Sequence, residues 1–96
     1  MKTYIRTDDG TYAVEPAESP GWLLCTPMDG PTAGEPLGVI RGVERERHVH
    51  TLNTNGTLPD ALTAERLGRV RDAWLLELRA HIQRTAFPIT PETLND

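Results

Sequence analysis

Only one stretch of this sequence can form a long helix, and it comes late in the chain. From Ala64 to Thr85 there is no proline, and Leu67, Val70, Trp74, Leu78 and Ile82 recur at spacings of three and four. That period places them on one stripe of an α-helix. Leu75 flanks the stripe, and Arg71 sits inside it, where its stem must snorkel or pair. Thr63 reads as the N-cap, Glu65 suits the first turn, and Leu62 and Leu67 fit a hydrophobic staple across the cap. Phe87-Pro88 stops the helix.

Ahead of the helix, proline and glycine leave room only for short strands. Tyr4 to Asp8 and Thr11 to Val14 flank Asp9-Gly10, a pair suited to a two-residue type I′ turn in which both central residues take positive φ. In that register Thr7 faces Tyr12 and Ile5 faces Val14, so Ile5, Tyr12 and Val14 share a face. Residues 15–21 read as a connector, Trp22 to Thr26 as a short buried strand, and 27–36 as a long exposed loop or wide hairpin connection. Leu37 to Val43 is the next strand, and His48 to Leu52 alternates with period two. Asn53-Thr54-Asn55-Gly56 is a turn.

This order predicts an α+β fold: a small antiparallel sheet of about four or five strands, opened by a β-hairpin and packed by one long C-terminal helix. Residues 1–86 read as a single α+β domain and 87–96 as a C-terminal tail. Leu, Ile, Val and Phe together number 21 of 96 residues, so the core is thin. A sheet covered by one helix leaves its other face open, and a domain this small often gains stability by oligomerising.

No membrane span is expected, because no apolar run approaches the required length of about 18 residues. The segment MKTYIRTDDG has no apolar signal-peptide region, which points to a cytoplasmic protein. Cys25 is the single cysteine and sits beside Trp22, Leu23 and Leu24, as a buried structural thiol would. Charge is uneven: residues 1–40 are acidic and 61–86 mildly basic, so the two segments suit each other within one chain or between two copies.

The sequence lacks a phosphate-binding glycine loop and a Gly-x-Ser-x-Gly elbow, so no catalytic residue and no cofactor is expected. His48 and His50 project from one side of a strand and are the candidate metal ligands. A third ligand would have to come from His81, Glu44, Glu46 or Cys25, none at a diagnostic spacing. Arg66, Arg69 and Arg84 lie near one another on the helix and are the candidate nucleic-acid contacts, although Glu65, Asp72 and Glu77 are interleaved with them. Ala73, Leu76 and Ala80 form a strip on the far side of the helix and are the candidate protein interface. These features favour a non-enzymatic binding or accessory protein, homodimeric and acting through a protein partner. A nucleic-acid regulator and a metal site at His48 and His50 are the alternatives.

Overall fold

The computed structural model describes residues 2–41 and 49–86, the last three by backbone only. Alternation of β-forming residues makes the first two strands, β1 (Thr3–Thr7) and β2 (Gly10–Pro16). They pair antiparallel with Thr7 opposite Gly10, Ile5 opposite Tyr12 and Thr3 opposite Val14. The two-residue loop is therefore Asp8-Asp9, and Gly10, at φ 134°, opens the return strand. This corrects the Asp9-Gly10 register by two residues. A shift of two leaves every side chain on its own face, so Ile5, Tyr12 and Val14 still point together.

The sheet continues through β3 (Trp22–Pro27), β4 (Gly38–Arg41) and β5 (Thr51–Leu52), in the order β1-β2-β3-β4-β5, with each neighbouring pair antiparallel. β2 runs through Glu15 and Pro16, which the sequence had suggested as connector. β3 takes in Pro27, which is fully buried, and the exposed hairpin connection is 28–36, folded back by bonds such as Gly34 N–H to Pro27 O at 2.8 Å. The expected end of the fourth strand at Val43, the charge run of 44–47, and the tail of 87–96 lie outside the described residues.

The helix α1 (Ala61–Ala86) begins three residues earlier than the sequence suggested. Asp60, not Thr63, is the cap: the Thr63 N–H donates to Asp60 Oδ1 at 2.8 Å, and the Ala64 N–H to Asp60 O at 2.9 Å. A cap at Asp60 moves Leu62 into the first turn, where it is 67% exposed, so the staple with Leu67 is not made.

One face of the sheet packs against this helix. Ile5, Tyr12, Val14, Cys25 and Ile40 from the sheet meet Leu67 and Val70 from the helix, with Leu23, Leu37, Ala73 and Trp74 around them. Burial fades along the stripe: Leu67 and Val70 are fully buried, Trp74 and Leu78 half-buried, and Ile82 is 43% exposed. Length explains this. A 26-residue helix spans about 39 Å, while the seven residues of β2 span about 23 Å.

Close helix–sheet contact depends on Gly38. A Cβ there would come within 2.5 Å of Leu52 O and 2.7 Å of Leu67 Cδ1. Gly38→Ala is therefore expected to cost about 1–3 kcal/mol through overpacking. Gly68, inside the helix with nothing near the position of a Cβ, gives the opposite result: Gly68→Ala should gain about 0.5–1 kcal/mol. Urea denaturation of the two variants checks both signs.

Candidate binding cleft

The pleat sends alternate residues of each strand away from the helix. The registers align Glu15, Leu24, Val39 and Leu52 in one row across the helix-free face, and Trp22 with Arg41 in the next. Leu24, Val39, Leu52 and Trp22 are half-buried. Together they floor a cleft of about 550 Å³.

Two loops wall the cleft, Pro16 to Ser19 on one side and Asn53 to Gly56 on the other. Both are held by their own hydrogen bonds. In the first, the Ala17 N–H donates to Trp22 O at 2.9 Å and the Trp22 N–H to Ser19 O at 3.2 Å. In the second, the Asn53 N–H donates to Thr57 O, and the Gly56 N–H to Asn53 O, each at 2.9 Å. Asn53 Nδ2 donates to Thr57 Oγ1 at 3.0 Å, and Thr57 Oγ1 donates to Asn55 Oδ1 at 2.6 Å. The walls are thus set before anything binds. At the edge of the floor the Arg41 guanidinium lies over the Trp22 ring, 5.2 Å from its centroid.

The helix side of the sheet carries a polar cluster of a different kind. The Arg66 Nε–H donates to Tyr12 Oη at 3.0 Å, and the Tyr12 hydroxyl donates to Asp9 Oδ2 at 3.2 Å. Thr7 Oγ1 donates to Asp9 Oδ1. Asp9 Oδ2 also lies 3.6 Å from both Arg66 Nε and Arg69 Nη1, and Arg69 Nη2 donates to Glu65 Oε1 at 2.6 Å. Partial burial pushes the Asp9 carboxyl up, but the bonds from Thr7 and Tyr12, its own N–H and the Arg66 charge outweigh it, so the group sits below its ordinary value. Burial raises the Tyr12 hydroxyl against the opposing pull of Arg66. This cluster ties the first hairpin to the helix, joining the acidic front of the chain to the basic segment.

Arg66 and Arg69 converge on Asp9, and the Arg84 side chain lies outside the described residues. His50 is half-buried and its carbonyl accepts from the Arg41 N–H at 2.9 Å, while His48, Glu44 and Glu46 lie outside the described residues. His81 is exposed on the helix and Cys25 is buried beneath it. Among the described residues no three His, Cys, Asp or Glu side chains are grouped to hold a metal ion. Ala73 packs against the core, so it does not belong to the outward strip. Leu76, 65% exposed, and Ala80, half-buried, remain there. The reason is angular: Ala73 follows Val70 by three residues and stays on the rim of the buried stripe.

Sequence reasoning missed the cleft. Its floor comes from three strands and its walls from segments more than thirty residues apart. The one readable sign was apolar residues on both faces of the third strand, Leu23 and Cys25 on one side, Trp22 and Leu24 on the other.

Two measurements probe these groups. Because the folded Asp9 pKa is depressed, its contribution is complete above the ordinary value of 3.8 and is lost as pH falls through the lower folded value. Asp9→Asn should therefore cost about 1 kcal/mol at pH 7, with the gap to the parent protein closing in acid. Urea titrations between pH 7 and pH 2.5 check this. Burial pushes the Cys25 thiol up to about 12. The folded protein should resist a thiol-specific disulfide reagent at pH 8 and react only at the rate of unfolding. Above the unfolded thiol's ordinary value of 9.0 the unfolded state is favoured by ionisation, so stability should decline between that value and about 12.

Comparison with known proteins gives no match: no family model fits the chain, and no curated protein or solved structure is significantly similar to it.

Proposed function

We propose that this is a small non-enzymatic binding protein that contacts a protein partner through the helix-free face of its sheet. The observation that carries the reading is the cleft itself, an apolar floor of Trp22, Leu24, Val39 and Leu52 between two walls that satisfy their own hydrogen bonds. Exposed sheet faces of soluble domains are ordinarily polar, and a preformed cleft of mainly apolar lining is the usual setting for recognition. Its opening at the surface suits a segment of another chain.

Self-association belongs to the same proposal. Leu76 stands exposed beside the small Ala80 on the outward side of the helix, and such a pair lets a second helix approach closely. Nucleic-acid binding has less support, since Arg66 and Arg69 already meet Asp9 and Glu65. Among the described residues no helix is long and apolar enough to cross a membrane.

Selection from a library of random twelve-residue peptides tests the contact surface. Binders should be recovered by the parent protein and lost with Val39→Glu, which changes the middle of the floor and leaves the helix side untouched. Binders that ignore Val39→Glu, or none at all, would reject the reading. Light scattering tests self-association: the parent should show about twice the 10.7 kDa chain mass, and Leu76→Asp should return it to one chain.

A further inference from the structure

We infer that the cleft takes an extended peptide segment in which a large apolar side chain is followed closely by an aspartate or glutamate. The inference rests on the cleft being the binding surface and adds the chemistry of what it binds.

The apolar part follows from the floor. Leu24, Val39 and Leu52 stand side by side on three adjacent strands, about 10 Å from first to last. One aromatic or two neighbouring aliphatic side chains cover a row of that width. The volume of about 550 Å³ holds a few side chains, not a folded element. The walls offer no uninterrupted ladder of open N–H groups, because those of Ala17, Asn53 and Gly56 are engaged within their own turns. Side chains therefore do the selecting.

The acidic part follows from Arg41. Arg41 is half-buried, and its guanidinium carbon lies over the Trp22 ring, 5.2 Å from the centroid. Among the described residues no carboxylate lies within ion-pair distance of it, whereas Arg66 has one and Arg69 two. A contact with a π-face uses none of the guanidinium's N–H donors on a carboxylate, and their fork matches one. A cation placed beside the floor with no described carboxylate partner is suited to pairing with an incoming anion. Glu18, the charged residue in the cleft lining, is exposed on the rim, where water screens it. Glu15 and Glu18 stand on the β2 side of the floor and Arg41 on its β4 side, so a ligand's negative charge is matched at the Arg41 end.

Trp22 lies in the cleft and reports on it once Trp74 is replaced by Phe. The probes are four blocked peptides: acetyl-Gly-Leu-Ile-Asp-Gly-amide, its versions with Asn or Lys in place of Asp, and one with Ser-Ser in place of Leu-Ile. Fluorescence titrations at low salt are paired with amide NMR titrations of the parent protein, which do not depend on the Trp74 replacement. The Asp peptide should bind five- to tenfold more tightly than the Asn peptide, and the Lys and Ser-Ser peptides more weakly still. Arg41→Gln should make the Asp and Asn peptides equal. Equal binding of Asp and Asn peptides to the parent protein, with shifts confined to the cleft, would overturn the acidic requirement and leave the binding surface standing. Absence of cleft shifts with every peptide at millimolar concentration would overturn both. A small apolar dye that binds the cleft when no peptide does would make it a small-molecule site and likewise overturn the inference.

Discussion

The helix can lie close to this sheet because Gly38 has no side chain. Leu67 occupies the space a Cβ would need, and from that contact both ends of the packing follow. On one side Leu67 and Val70 reach Ile40 and Cys25. On the other, Arg66, one residue before Leu67, comes over the Tyr12 ring at 5.7 Å and meets its hydroxyl. Tyr12 then passes the connection to Asp9 in the hairpin loop. An apolar close approach and a polar chain of three side chains thus fix the same turn of the helix. The first acts through packing and the second through direction, since hydrogen bonds constrain angle where dispersion does not.

Fixing the N-terminal half of the helix has a cost at the other end. The stripe that begins at Leu67 continues to Leu78 and Ile82, but the sheet beneath it does not, and burial falls away accordingly. The opposite face of the sheet is left with no helix at all. Four of the large apolar side chains of a chain poor in them, Trp22, Leu24, Val39 and Leu52, line a cleft there. Burying them beneath the helix would have enlarged the core. Placing them on the open face gives up some of that stabilisation, at about 25 cal/mol per Å² of apolar surface left in water.

How much of this was legible depended on range. The strand faces and the α+β order followed from alternation and from the single helical stripe, both of which involve neighbours in sequence. Errors came where two local signals competed. Asp9-Gly10 is a strong turn pair, but Thr7 bonds Asp9 and the loop closes one residue earlier, around Asp8-Asp9, which shifts the register by two. Thr63 is a good cap, but Asp60 precedes it and captures the Thr63 N–H, so the helix absorbs Ala61 and Leu62 as its first residues. Ala73 was assigned to the outward strip by its spacing from Leu76, when its spacing from Val70 decides its place. The cleft and the Asp9–Tyr12–Arg66 chain were hidden for a different reason. Each joins side chains far apart in sequence, and no periodicity records that.

The two arginine groups of the structure show how such long-range placement sorts residues of one type into different roles. Arg66 and Arg69 face carboxylates and serve to hold the hairpin on the helix, so removing their charge should register in stability. Arg41 faces an indole ring, an attraction worth about 0.5–1 kcal/mol at an accessible site. That favours the position over the ring only a few-fold and leaves the donors unmatched by any described carboxylate. A chain of net charge −4 has acidic groups to spare for pairing its cations. That Arg41 is set against an aromatic ring beside an apolar cleft, rather than against one of those acids, is what makes it the residue through which the open face would choose its ligand.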